Sequence, residues 1–304
     1  MRLLGEILRG GFTKVGRNLH FILLFWIVNF AFASLLSITL YKLLDSSLAY
    51  SAAGDSMLQQ FDFRWYQEFI HHSMATLNLF PPMLIIAALI YLMIQTFFHG
   101  GLLAVLNSPE RKTLFIDFFY GGVQYFTRFF RILIVALLTY SAIFLLNGWL
   151  ADLLNVVMRD TVSESGRIAV SVVRMSLLGA ALLLSTVLFD FTRVAIIVDA
   201  ERRVVRHMVL TALFLWHQTK IVVLVFITVI IMTVIFFMLS RWIDSFFMPS
   251  VSFGMIFLVF LFQQIYIISR IWLRMLFTAS ELTLYHECTA EEVVLSVEED
   301  RVYT

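Results

Sequence analysis

Charge is scarce in this 304-residue chain: Asp, Glu, Lys and Arg make up 14% of it, against 61% hydrophobic residues and a mean hydropathy of +0.89. A soluble domain needs about 25% charged residues to cover its surface, so the composition is that of a polytopic membrane protein. The few basic residues border apolar runs and form no separate basic domain, which leaves no nucleic-acid partner to expect. Cysteine is nearly absent as well. Cys288 stands alone, so no intramolecular disulfide can form. Catalytic signatures are missing too: no GxSxG, Walker loop, GxGxxG or SxxK occurs in its required context. His71 and His72 are adjacent and point to different helix faces, and the consecutive His286-Glu287-Cys288 lacks the spacing of HExxH. The expectation is a non-enzymatic protein with no cofactor and no metal site.

Long apolar runs are what the chain does have. Six spans are expected, at 19–41, 83–106, 132–150, 168–189, 221–239 and 251–271. Pro81 and Pro82 open the second, where the missing N–H groups cost nothing. The first span is too long for the apolar core of a cleavable signal peptide and reads as a retained helix. Between the spans lie segments with one apolar and one charged face. Residues 1–17 carry the stripe Leu4, Leu8, Phe12 and Val15, with Leu3 and Ile7 beside it, and Arg2, Glu6, Arg9, Lys14 and Arg17 elsewhere. A second such helix opens at Asn107-Ser108-Pro109-Glu110 and runs to Arg131. A third follows Asp199, with Arg202, Arg203, Arg206 and His207 on one side and Val205, Val209, Ala212 and Trp216 on the other. All three are expected to lie flat at an anionic membrane surface. A further helix, about 59–74, is expected on the opposite surface, within the polar loop 42–80.

Sixteen of the 22 Lys and Arg residues fall on the segments that alternate spans assign to one side. Because cytoplasmic segments retain Lys and Arg, this bias predicts a bacterial inner-membrane protein with both termini in the cytoplasm. The arrangement also suggests an internal repeat. Thr13-Lys14, Thr127-Arg128 and Thr219-Lys220 mark similar junctions, and GGLLAVLN (100–107), TRVAIIVD (192–199) and LRMLFTAS (273–280) close each unit. Arg193 and Arg274 then occupy equivalent places, with Gly101 in the first unit. The expected organisation is one transmembrane domain, 1–290, with units 1–107, 108–199 and 200–280, and an acidic cytoplasmic tail, 281–304. The fold class is all-α.

The segments FFHGGLLAVLN, FIDFFYGGVQYFTRFFR, DFTRVAIIVD and RIWLRMLFTASEL resemble a family of bacterial multi-pass proteins. More distantly, they are similar to the membrane domain attached to some glycerophosphodiester phosphodiesterases. The soluble metal-dependent catalytic barrel of those enzymes has no counterpart in this sequence, so the resemblance implies a fold type and no activity.

Ionisable groups near membrane depth are the candidate site, because they are expensive there without a purpose. Asp190 and Arg193, spaced i, i+3, can pair on one helix and hold a lipid headgroup or a proton; as boundary residues they can equally cap the span and reach for water. Arg270 and Arg274, spaced i, i+4, would build with Arg193 a basic pocket for phosphate or anionic lipid, or else anchor the topology. His99, beside Gly100-Gly101, reads as a hydrogen-bonded structural group. Expected partners are membrane lipids and a protein docking on the cytoplasmic face. The competing expectation is a transporter of a lipid or small solute, which would show a central cavity lined by Gln95, Asn147, Gln263 or Gln264.

Overall fold

The computed structural model describes residues 2–48, 63–108, 114–157, 164–199, 204–247 and 253–302. It is an all-α polytopic membrane fold. The helices are α1 (Arg2–Arg17), α2 (His20–Leu48), α3 (Phe63–Leu77), α4 (Phe80–Asn107), α5 (Phe115–Val157), α6 (Glu164–Val198), α7 (Val204–His217), α8 (Thr219–Phe247) and α9 (Phe253–Val302). Six of them, α2, α4, α5, α6, α8 and α9, are long and apolar enough to cross a membrane. Residues 109–113, Arg159, Arg202, Arg203 and the side chains of 290–304, which the sequence reading used, lie outside the described residues, as does 49–62 of the expected polar loop.

The chain forms two compact units, 1–19 with 96–304, and 20–95. In the second, α2 and the first half of α4 are joined by a polar clasp within apolar helices. Asn29 Oδ1 accepts from Tyr91 Oη at 2.8 Å and from Gln95 Nε2 at 3.2 Å, and Phe32 meets the edge of Tyr91. The helix α4 starts at Phe80 with Pro81 and Pro82 in its first turn, where they forfeit no hydrogen bond.

The larger unit contains the core, and the core sits at one end of its spans. Phe98 and Leu102–Leu106 (less Ala104) of α4, Phe118, Phe129 and Ile132 of α5, Phe189–Ile197 of α6 and Leu273–Leu284 of α9 supply most of its buried apolar side chains. Two glycine pairs let α4 and α5 cross there. A Cβ on Gly101 would run into the Phe118 carbonyl oxygen, and one on Gly121 into the Ala104 side chain, so no larger residue fits without moving a backbone. Beyond this end the same helices turn Leu138, Leu145, Leu184, Ile235 and Ile256 outward, as spans facing lipid must.

Three helices differ from expectation. The 43-residue α5 is continuous, so the expected interfacial helix and third span are one rod. Its start is fixed by Asp117, whose Oδ2 accepts the Leu114 backbone N–H at 2.8 Å, half of a capping box. In α1 the buried face is Ile7, Gly11 and Val15, so of the expected stripe Leu4, Leu8, Phe12 and Val15 only Val15 is buried, with Ile7 from beside it. It packs on α9: Cβ atoms at Gly10 and Gly11 would lie 2.9 Å from Thr283 Cγ2 and 2.6 Å from Ser280 Oγ, and Phe12 lies against Trp272. Burial there also holds the Lys14 ammonium below its usual pKa, opposed by the charge of Glu287. In α7 the packed face is Val204, His207 and Thr211, while Val209 and Trp216 point away from the protein, Trp216 being 81% exposed.

The expected acidic tail, 281–304, starts within a helix. The α9 helix runs without a break through that point, and Glu281, Leu282, Leu284, Tyr285 and Cys288 are buried in the larger unit. A helix whose apolar face must cover α1 and α7 cannot end where its last hydrophobic run ends.

Candidate functional site

The candidate site is where α4, α6 and α9 meet inside the packed end. Arg193 Nη1 donates to Asp190 Oδ1 at 2.6 Å, the i, i+3 pair expected from the sequence, and the two side chains are 20% and 21% exposed. Arg274 of α9 lies within electrostatic reach of Asp190, and its side chain is exposed. Arg270, one turn earlier, is exposed as well and takes no part in the buried cluster. The structure thus joins Asp190, Arg193 and Arg274, while Arg270 is exposed.

Two further ionisable groups complete the cluster. His99 of α4 is buried and feels the charges of Arg274 and Arg193. Glu281 of α9 is only 2% exposed, its Oε1 has no hydrogen-bond partner, and it faces both Asp190 and Arg193. The Arg193 guanidinium is bonded to Asp190 and lies within electrostatic reach of Glu281. Thr192 and Ser280 add buried hydroxyls nearby in sequence, and Thr192 Oγ1 is satisfied by donating to the Leu188 carbonyl at 2.6 Å. Among the described residues, no three His, Cys, Asp or Glu side chains are grouped to hold a metal ion.

A second layer of polar contacts ties down the helix ends beyond the cluster. Asn107 Oδ1, at the end of α4, is 2.8 Å from His286 Nε2. Asp199, at the end of α6, accepts from Tyr285 Oη at 2.9 Å and lies 3.7 Å from His207 Nδ1 of α7. Phe214 of α7 packs on the Tyr285 ring, with centroids 5.2 Å apart. Adjacent residues of α9 thus hold the last residues of both α4 and α6.

No family model, curated protein or solved structure matches the chain. What the cluster does must therefore be argued from its own chemistry. The sequence reading missed Glu281 because an acidic stretch after the last span looks like a solvated tail, and it treated His99 as structural because no partner was visible. Helical register puts Glu281 on the α9 face of Arg274 and Thr278, each within four residues of the next, but the partners of His99 and Glu281 come from other helices, which no local pattern reveals.

Proposed function

We propose that the protein is a non-enzymatic integral membrane protein that holds an anionic lipid headgroup, and through it organises lipid or a protein partner, at the cytoplasmic face. The observation that carries this reading is the charge arrangement at the packed end. An exposed guanidinium, Arg274, stands beside a half-satisfied buried set of His99, Asp190, Arg193 and Glu281. A phosphate offers the oxygens that Arg274 lacks, and Arg binds phosphate bidentately. Assigning this end to the cytoplasm is supported by Arg9, Lys14, Arg17, Arg128, Arg131, Arg206 and Lys220, all on elements at that end. A threefold repeat is supported by the burial of more than half of the residues in each of 100–107, 192–199 and 273–280. The Thr–basic junctions weigh against its register: α1 breaks five residues after Thr13, α8 begins at Thr219, and Thr127 lies inside the unbroken α5. The kinship with the membrane domain of glycerophosphodiester phosphodiesterases stays with this proposal, since the resembling segments are those of the packed end.

The test is native mass spectrometry of gently extracted protein with its lipids identified, beside Arg193→Gln/Arg274→Gln and the exposed single variant Arg274→Gln. One anionic lipid held at fixed stoichiometry and lost in both variants supports the reading. Equal retention in all three removes it and leaves the arginines as topology anchors.

The transporter reading draws on one observation, a buried Glu281 whose Oε1 has no hydrogen-bond partner near the Asp190–Arg193 pair. The residues expected to line a common path each have their own local setting, however. Gln95 is bonded to Asn29, the Asn147 carbonyl faces Arg174 at 3.5 Å, and Gln263 lines a cleft of about 370 Å³ between α8 and α9. Proteoliposomes that acidify on addition of a solute, with Glu281→Gln inactive, would reverse the order of the two readings.

A further inference from the structure

Far from the packed end, the α5–α6 hairpin carries a second concentration of positive charge. Arg167, Ser171 and Arg174 lie on one face of α6 at i, i+4 and i+7, opposite Ala151, Leu154 and Asn155 of α5. Together they line a cleft of about 340 Å³ with no acidic side chain among the described residues of its wall. Arg174 is half-buried and reaches across so that its Nη1 lies 3.5 Å from the Asn147 carbonyl oxygen, a marginal hydrogen bond. Among the described residues neither guanidinium is matched by a carboxylate. Two like charges on one wall repel each other, and burial of one strengthens that repulsion unless a counter-charge enters.

The depth of these arginines adds a second argument. Arg174 precedes Arg193 by nineteen residues on the single helix α6, about 28 Å at the α-helical rise, close to the thickness of the bilayer hydrocarbon. If either arginine stands at the headgroup level of one leaflet, the other stands at that of the opposite leaflet. The positive-inside bias cannot account for both ends of one helix, so Arg167 and Arg174 require another reason.

We propose that this cleft binds a phosphate-class anion, clamped by Arg167 and Arg174, with the Asn155 amide and Ser171 hydroxyl as further donors and Ala151 and Leu154 as an apolar floor. Planar guanidinium forks match phosphate oxygens, and the site accepts either an anionic phospholipid headgroup of that leaflet or free phosphate. The proposal is independent of the lipid site at Arg193 and Arg274.

The experiment uses the full chain in detergent, with phosphatidylglycerol and inorganic phosphate as separate probes. The proteins are wild type, Arg167→Gln/Arg174→Gln, Arg167→Gln alone and Arg193→Gln/Arg274→Gln. Arg167 is exposed, so its single variant keeps the fold and decides the matter if the double variant does not. Native mass spectrometry is expected to show one phosphatidylglycerol per chain lost from the Arg167 variants and kept by Arg193→Gln/Arg274→Gln. If the source is free phosphate, calorimetric titration instead shows inorganic phosphate binding at least roughly tenfold more weakly to the Arg167 variants, the loss of one charge-assisted contact. Equal binding of both probes by wild type and the Arg167 variants overturns the proposal.

Discussion

Gly101 and Gly179 both sit within apolar transmembrane helices, yet a methyl group on the first would meet a backbone carbonyl and one on the second would meet nothing. That contrast holds for the whole larger unit. At its packed end, α4, α5, α6 and α9 approach through small residues and bury Phe118, Phe129, Ile196 and Leu276. Further along the same helices, Leu145, Leu184 and Ile256 face outward. Hydrophobicity is similar in both halves, so it does not hold the helices together; lipid is as good a solvent for leucine as another helix. What distinguishes the packed end is steric fit and polar pairing, and the charged cluster lies where those occur.

Substitution should break the comparison most at the glycine crossing. Gly101→Leu is expected to abolish folded protein, whereas Gly179→Leu leaves stability within about 1 kcal/mol, because overpacking costs only where neighbours cannot give. Size-exclusion profiles of the two extracted variants check this. Next in size is the ion pair. Asp190→Asn strands the Arg193 guanidinium and should cost about 3 kcal/mol at neutral pH, and adding Arg193→Gln should recover part of the loss. Denaturant-driven unfolding of the single and double variants gives the coupling. A smaller contrast concerns two tyrosines. Tyr285→Phe removes the bond to Asp199 at the packed end and should cost about 1 kcal/mol. Tyr140→Phe, whose hydroxyl meets Thr186 on the lipid-facing part of α5 and α6, should cost about 0.6 kcal/mol. Thermal melts of the two resolve the difference. The least effect is expected from Leu184→Ala, which is 70% exposed; a change above about 0.5 kcal/mol would mean that this surface is covered by another chain.

Most of the span pattern was legible in the sequence because membrane thickness imposes a length that composition reveals. The Asp190–Arg193 pair was legible too, since an i, i+3 spacing fixes two side chains on one face whatever the tertiary fold. The packing faces of α1 and α7 were not. An amphipathic segment shows which residues avoid water, and a membrane protein offers those residues two apolar hosts, lipid and protein. In α1 the protein took Ile7, Gly11 and Val15, a choice made by the small residues that admit α9. In α7 it took His207 and Thr211, leaving Trp216 to the outside. Glu281 was hidden for a related reason. Its partners Asp190 and Arg193 come from α6, and no pattern local to α9 reveals them.

The uninterrupted α5 carries a mechanical implication. At 43 residues it is about 64 Å long, roughly twice the hydrocarbon thickness, and it has no break between its lipid-facing part and the glycine crossing. A membrane that thins or thickens tilts such a rod, and the rod cannot absorb the tilt at the surface. The 17 residues from Phe115 to Arg131 then act as a lever arm of about 25 Å, so a 10° tilt swings its tip by about 4 Å. The same rod therefore spans both the lipid-facing part and the end of the molecule where its charges are gathered.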